Sequence, residues 1–275
     1  MKLNFKKAVS DVLSLKYYWI YIFLAAIVAT LSSIFQSAKG LPFHDAISNV
    51  ISIFTYISTG YLLIMINNLL NNKELNNADE NFLQNFWNST KNGFKCFFGT
   101  LLNTVIIFSA GAIVALMVVL VFMAITRIAV NEQNILSFPA LKVALGLLAI
   151  ILIILMLFVL KLLPIAYSEN FSIKAMFCWR KVFKEFFQEG KTKKTLAILG
   201  IYILVELAIF LTLFLTMVIF NLIFMYTVKT LLVNHYVLTA FIINLSAVAV
   251  PFIISIAHFM LMSLIYHMLT DVYKN

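Results

Sequence analysis

Residues 140–163 read ALKVALGLLAIILIILMLFVLKLL, and this apolar stretch decides the class of fold. A helix needs about 20 mainly apolar residues to cross the hydrocarbon layer of a bilayer, and the stretch is long enough to do so. Transmembrane β-strands would instead alternate apolar and polar residues over roughly ten positions. Residues 145–160 show no such alternation. The stretch is therefore predicted to be a transmembrane helix.

The rest of the chain has the same character. Hydrophobic residues make up 63% and charged residues 11% of it, and its mean hydropathy is +1.01. A soluble globular protein does not have such a composition. The sequence predicts an all-α, polytopic membrane protein that forms a single membrane domain over residues 1–275. Its six predicted spans are Tyr17–Phe35, Ala46–Leu70, Phe98–Thr126, Ala140–Leu163, Leu196–Tyr226 and Val237–Met268.

The distribution of basic residues predicts the orientation in the membrane. When the N-terminus is placed in the cytoplasm, only Lys39, Arg127, Lys142 and Lys229 of the 20 basic residues fall on the outer side. Such an excess of inner charge is the positive-inside signal, so a cell-membrane protein with both termini in the cytoplasm is predicted. This topology accounts for most of the net charge of +9, and nucleic acid is not an expected partner. Anionic inner-leaflet lipid and a cytoplasmic or membrane protein are the expected partners.

A short element recurs along the chain. Residues 80–98 (ENFLQNFWNSTKNGFKCFF) align without gaps with residues 169–187 (ENFSIKAMFCWRKVFKEFF), and a weaker copy begins at Asn4-Phe5. Each copy runs directly towards a long apolar stretch, and an even number of spans separates the copies. The sequence therefore predicts three parallel repeats, each an interfacial helix followed by a helical hairpin. Their approximate bounds are residues 1–75, 76–166 and 167–275.

The repeated element is predicted to be an amphipathic helix, over Phe82–Phe98 and over Phe171–Phe187. Aromatic residues recur there near the helical period, and basic residues occupy the other face. Asn81 and Asn170 stand at the positions of N-caps. Such a helix can lie in the headgroup plane or pack on the inner ends of the spans, and the sequence allows both. The candidate contacts with lipid headgroups or a partner are Lys91, Lys95, Arg180, Lys181 and Lys184.

A polar pair is predicted inside the membrane. Glu206 lies 11 residues after Thr195, or about 16 Å along a helix, which places it near the bilayer midplane. His258 lies at a similar depth on the last span, so we expect the two side chains to meet inside the bundle. A functional pair, a structural pair, and a protonated Glu206 that bonds another helix are the open alternatives. Asn103, Asn221 and Asn244 are expected to make hydrogen bonds between helices, and Gly111 and Gly200 to allow close helix contacts.

The search for catalytic chemistry finds no supporting motif. The chain contains no H-E-x-x-H, no G-x-S-x-G and no phosphate-binding glycine loop. Cys96 and Cys178 have no metal-ligand spacing and are expected to serve as packing residues. No catalytic residue, metal or cofactor is therefore predicted, and the protein is expected not to be an enzyme.

The Asn-Phe start, the amphipathic aromatic and basic run, and the span that follows resemble uncharacterised six-helix membrane proteins of prokaryotes. These proteins are similar to the membrane domain of some glycerophosphodiester phosphodiesterases. The resemblance implies a six-helix fold and transfers no catalytic or binding residue. Three functions remain open at this stage: a non-enzymatic accessory or assembly factor with a basic cytoplasmic face, a transport protein such as the membrane subunit of an ABC-type exporter, and a lipid-modifying enzyme. The first is the favoured prediction.

Overall fold

The computed structural model describes residues 5–37, 43–73, 81–126, 138–231 and 236–274. Within these ranges the chain is helical and contains no strand. The α-helices, in chain order, are α1 (Phe5–Leu13), α2 (Tyr18–Ser37), α3 (His44–Ile53), α4 (Thr55–Leu70), α5 (Phe82–Thr126), α6 (Pro139–Leu157), α7 (Leu163–Ser168), α8 (Trp179–Phe187), α9 (Thr192–Leu231) and α10 (Tyr236–Lys274). Two short helices of other types, Phe158–Leu162 and Ile173–Phe177, lie before and after α7.

Among the described residues, six helical stretches are long and apolar enough to cross a membrane. They are Tyr18–Phe35, Asp45–Leu70, Phe82–Thr126, Pro139–Ser168, Thr192–Thr216 and Val248–Lys274. Each overlaps one of the six spans predicted from the sequence. The prediction of an all-α, multi-pass membrane protein is therefore confirmed at this level.

Two of the spans are less regular than predicted. The second is interrupted at Phe54, where α3 ends and α4 begins. The fourth changes to a π-helix over Phe158–Leu162 before α7 resumes. Proline explains this second change, because Pro164 has no N–H for the carbonyl of Leu160 and its ring crowds the preceding turn. The π-turn is the local rearrangement that relieves this conflict.

The second copy of the repeated element forms the start of a much longer helix. The side-chain oxygen of Asn81 accepts a hydrogen bond from the backbone N–H of Gln84 at 2.8 Å, which confirms Asn81 as the N-cap. From there α5 continues unbroken for 45 residues. That is about 68 Å of helix, more than twice the hydrocarbon thickness. The helix is therefore too long to lie wholly within the hydrocarbon layer, and the second copy of the repeated element is continuous with the span.

The third copy does not form the helix predicted over Phe171–Phe187. Phe171 has a positive φ of 51°, a 3₁₀ helix covers Ile173–Phe177, and α8 begins only at Trp179. Asn170 accepts a hydrogen bond from the N–H of Ser172 at 3.1 Å, so it forms a turn and does not cap a helix. Tertiary packing explains the difference, because Met176 is fully buried, with its sulfur against Gly99.

The chain divides into two compact units. Unit one comprises Met1–Phe94 and Lys184–Asn275, and unit two comprises Lys95–Phe183. The two boundaries fall at equivalent positions of the repeated element, since Phe94 and Lys95 align with Phe183 and Lys184.

Unit one contains a close approach of α4 and α5. A Cβ atom on Gly60 would overlap the carbonyl oxygen of Ser89, and one on Gly93 would overlap that of Tyr56. The hydroxyl of Tyr21, on α2, donates to the side chain of Asn85 at 2.9 Å and lies 3.1 Å from that of Ser89. Small residues thus bring two helices together, and polar side chains join them to a third.

Several helices of unit one begin or end at the same end of that unit. Tyr17, before α2, contacts Phe82 at the start of α5, with ring centroids 5.3 Å apart. The Lys191 ammonium, before α9, donates to the carbonyl of Tyr273 in the last turn of α10 at 3.2 Å. The Lys274 ammonium donates to the carbonyl of Leu69 at the end of α4 at 2.8 Å. We call this region the terminal end of unit one.

Unit two contains the rest of α5, α6, α7 and the first part of α8. A Cβ atom on Gly111 would lie 2.7 Å from a methyl group of Leu152, which confirms the close contact predicted for this glycine. The same prediction for Gly200, in unit one, is wrong, because a Cβ atom there would meet nothing within 4 Å. Gly200 stands at an open position of α9 although its register matches that of Gly111.

Candidate functional site

The structure brings Glu206 and His258 together. The Nδ1 atom of His258, on α10, lies 2.6 Å from Oε1 of Glu206, on α9. The two atoms are close enough for an ion pair, but they lack hydrogen-bond alignment, and Oε1 of Glu206 has no hydrogen bond. One turn earlier on α9, the Tyr202 hydroxyl contacts the same carboxyl group through a hydrogen bond. The three side chains thus form a polar cluster in the middle of two long apolar helices.

The position of this cluster differs from the enclosed one expected from the sequence. The side chains of Glu206 and His258 are 28% and 48% exposed, so the protein does not fully surround them. A carboxylate at membrane depth costs about 2.5–3.5 kcal/mol unless it is paired, protonated or hydrated. The adjacent imidazole supplies such a partner. A role for the pair beyond this compensation stays a prediction.

The five predicted headgroup contacts differ in exposure. Lys91, Arg180, Lys181 and Lys184 are exposed, whereas Lys95 is only partly so. The Lys181 ammonium lies 3.6 Å from a carboxylate oxygen of Glu169. It is therefore already engaged with an acidic group.

Helix α8 presents two faces. Val182 and Phe186 are fully buried, while Arg180 and Lys184 are exposed one turn apart. Phe183 is 56% exposed beside the basic residues. An exposed aromatic ring flanked by cations is typical of a helix surface that meets a membrane or a protein partner.

A polar pocket lies at the terminal end of unit one, and sequence reasoning did not find it. Its volume is about 290 Å³, and residues of α1, the end of α4 and the end of α10 line it. Six of its lining residues carry or can carry charge: Lys7, Asp11, Lys73, His267, Asp271 and Lys274. These residues lie up to 267 positions apart in the chain, so local sequence patterns do not reveal that they share a pocket.

His267 is the buried centre of this pocket. Its side chain is only 2% exposed, and its Nε2 atom lies 3.1 Å from a carboxylate oxygen of Asp11. The Nδ1 atom lies 3.7 Å from a carboxylate oxygen of Asp271 and has no hydrogen bond. A buried ring nitrogen without a hydrogen bond is costly, which marks this atom as a site that a ligand can satisfy.

Of the other residues that the sequence singles out, Asn103 makes a hydrogen bond that holds two helices together. Asn103 is fully buried, donates to the carbonyl of Gly99 at 2.8 Å and accepts from the indole N–H of Trp179 at 2.7 Å. This confirms the expected bonding between separate helices. Asn221 and Asn244 lie outside the residues whose side chains the structure describes. Cys96 is buried as a packing residue should be, whereas Cys178 is exposed, contrary to the expectation.

In the described part of the chain, no group of three or more histidine, cysteine, aspartate and glutamate residues has the arrangement needed to hold a metal ion. Comparisons of the sequence with protein-family models and with curated proteins, and of the fold with solved structures, find no match. The candidate sites are therefore defined by their own geometry alone.

Proposed function

We propose that this multi-pass membrane protein is a non-enzymatic accessory or assembly factor that acts through a basic cytoplasmic face. The observation that carries the proposal is the surface of α8, where Arg180, Lys184 and Phe183 are exposed while Val182 and Phe186 anchor the helix. Two exposed cations one turn apart attract anionic lipid headgroups or an acidic protein surface. The exposed ring adds apolar contact area at the same place.

The proposal includes the three-repeat organisation with both termini in the cytoplasm. The charge distribution supports this orientation, and the register of the unit boundaries supports the repeats. The pattern-level likeness to six-helix prokaryotic membrane proteins, related to the membrane domain of glycerophosphodiester phosphodiesterases, is part of the same proposal.

The test is comparative co-purification in mild detergent, followed by quantitative mass spectrometry of bound proteins and lipids. The test variant is Arg180→Glu/Lys184→Glu. The matched control is Lys142→Glu, which also reverses an exposed charge but at a position predicted to lie outside. We expect the double variant to lose bound protein or anionic lipid that the parent chain and the control retain. An identical set of bound molecules in all three samples would contradict the proposal.

A second candidate function, membrane transport, is favoured by the contact between Glu206 and His258. A titratable pair on two spans is the type of group through which transporters bind substrates or move protons. In one form of this function, the protein is the membrane subunit of an ABC-type exporter. The same co-purification separates the candidates, because an ATPase retained in near-stoichiometric amount by both the parent chain and the Arg180→Glu/Lys184→Glu variant supports the exporter.

A further inference from the structure

The polar pocket at the terminal end of unit one has an excess of positive charge. Lys7, Lys73 and Lys274 contribute three ammonium groups, and Asp11 and Asp271 contribute two carboxylates. Both aspartates lie beside His267, with a carboxylate oxygen 3.1 Å (Asp11) and 3.7 Å (Asp271) from a ring nitrogen. The net charge of the pocket is therefore +1 with a neutral His267 and +2 with a protonated one.

The donors of the pocket are partly held in place. The Lys274 ammonium donates to the carbonyl of Leu69 and to the side-chain oxygen of Asn72. An ammonium group has three N–H donors, so one donor of Lys274 is left for a ligand. In a protonated His267 the Nε2–H group meets Asp11, while the buried Nδ1–H group has no hydrogen bond. Because the fold already holds these donors, less conformational entropy is lost when they bind a ligand.

The size and the location of the pocket limit what it can hold. Its volume of about 290 Å³ is small for a drug-sized ligand. It opens where α4 and α10 end and the amphipathic α1 lies, which in a membrane protein is the headgroup region. Cationic donors of this kind bind phosphate oxygens through charge-assisted hydrogen bonds. Its excess of ammonium groups disfavours a cationic ligand.

We propose that this pocket binds a phosphate group with a net negative charge, held by Lys7, Lys73, Lys274 and the ring nitrogen of His267. The phosphate can belong to an anionic lipid headgroup or to a soluble phosphate compound, because the two share this chemistry. The inference is independent of the proposed function, since none of the pocket residues lies on α8.

The test uses the full-length protein, delipidated in a neutral detergent. Native mass spectrometry measures the binding of phosphatidic acid, with phosphatidylcholine as the lipid without net charge. A thermal-unfolding assay measures stabilisation by sodium phosphate against sodium chloride at equal ionic strength. Binding of phosphatidic acid alone identifies a lipid ligand, and stabilisation by phosphate identifies a soluble one.

Variants in the pocket and a control elsewhere show whether the pocket is responsible for binding the phosphate group. Lys7→Gln/Lys73→Gln removes two exposed lysines of the pocket without disturbing the core, and His267→Asn tests the ring nitrogen. Lys142→Gln/Lys193→Gln removes two exposed cations that lie neither in the pocket nor among the predicted headgroup contacts, and it is the matched control. We expect the lysine variant to bind its ligand about tenfold more weakly or worse, and the control to bind like the parent chain.

Three results would overturn the proposal. They are no binding of either probe by the parent chain, unchanged binding in the lysine variant, and an equal loss in the lysine variant and the control, which would indicate general electrostatic attraction. A failed co-purification test of the α8 surface leaves these results unaffected, so the two proposals stand or fall separately.

Discussion

At the residue scale, buried polar atoms show which side chains the fold constrains. Asn103 uses both ends of its amide, one within its own helix and one towards Trp179. Thr212 and Thr216 instead donate to carbonyls of their own helix, at 2.8 Å and 2.7 Å. The first arrangement joins separate segments and the second does not. Replacing these side chains should therefore have different consequences.

We expect Trp179→Phe to destabilise the protein by about 0.6–1.7 kcal/mol, between the average and the maximum found for hydrogen bonds between membrane helices. The substitution keeps an aromatic ring but removes the donor to Asn103, which is 0% exposed. Unfolding by a denaturing detergent measures the change. Trp87→Phe is the control, because Trp87 is 69% exposed. Equal effects of the two substitutions would contradict the role assigned to the Trp179 indole.

We expect a double-mutant cycle of Glu206→Gln and His258→Ala to show a coupling energy of about 0.5–3 kcal/mol, because the two groups are 2.6 Å apart. Unfolding free energies of the parent, both single variants and the double variant supply the measurement. A cycle of Thr212→Ala with His258→Ala is the control and should be additive, since Thr212 bonds its own helix. Additivity in the first cycle would exclude an energetic interaction between Glu206 and His258.

At the element scale, the sequence repeat and the helices coincide only in part. The second copy continues into the 45-residue α5, while the third is divided into a 3₁₀ turn and α8. The side chain of Met176 against Gly99 and the contact of Trp179 with Asn103 favour this division. Similar sequences thus form different local structures where their tertiary neighbours differ.

The contact between α4 and α5 predicts that Gly60→Ala and Gly93→Ala are strongly destabilising, by about 1–3 kcal/mol or more, because each new methyl group overlaps a backbone oxygen. Gly146→Ala and Gly200→Ala are controls, since both positions open to empty space. Alanine there should be neutral or stabilise by up to about 1 kcal/mol through its better helix propensity. Thermal unfolding in detergent compares the four. Similar changes at all four positions would refute the close approach.

At the scale of the whole molecule, the helices of unit one share an end. The contact of Tyr17 with Phe82 joins the starts of α2 and α5, and the bond from Lys191 to Tyr273 joins the start of α9 to the end of α10. Large apolar side chains are exposed along α5, α6 and α9, as lipid contact requires. Helices of unit one that begin and helices that end thus meet at the same end. Within unit one this arrangement is compatible with an even number of membrane crossings between one such helix start and the next such helix end.

Thiol labelling tests the orientation of the molecule. We expect a membrane-impermeant maleimide to modify Cys178, which is exposed, only after the membrane is permeabilised, and to leave the buried Cys96 unmodified. A Cys178→Ser variant that also carries Lys39→Cys should instead react in intact cells, because residue 39 is predicted to lie outside. Labelling of Cys178 in intact cells would reverse the predicted topology.

The sequence alone determined the membrane class, the number of spans and the helical secondary structure. Length and hydropathy suffice for these, because an apolar stretch without water must satisfy its backbone within a helix. The cap at Asn81 was also readable from local spacing. Tertiary structure alone decided the rest. The division of the third repeat copy, the contact of Gly60 with Ser89 and the assembly of Asp11, His267 and Lys274 into one pocket all depend on neighbours far away in the chain. Hydropathy is a property of single residues and carries no information about such neighbours. These contacts arise only when the helices pack into one specific arrangement.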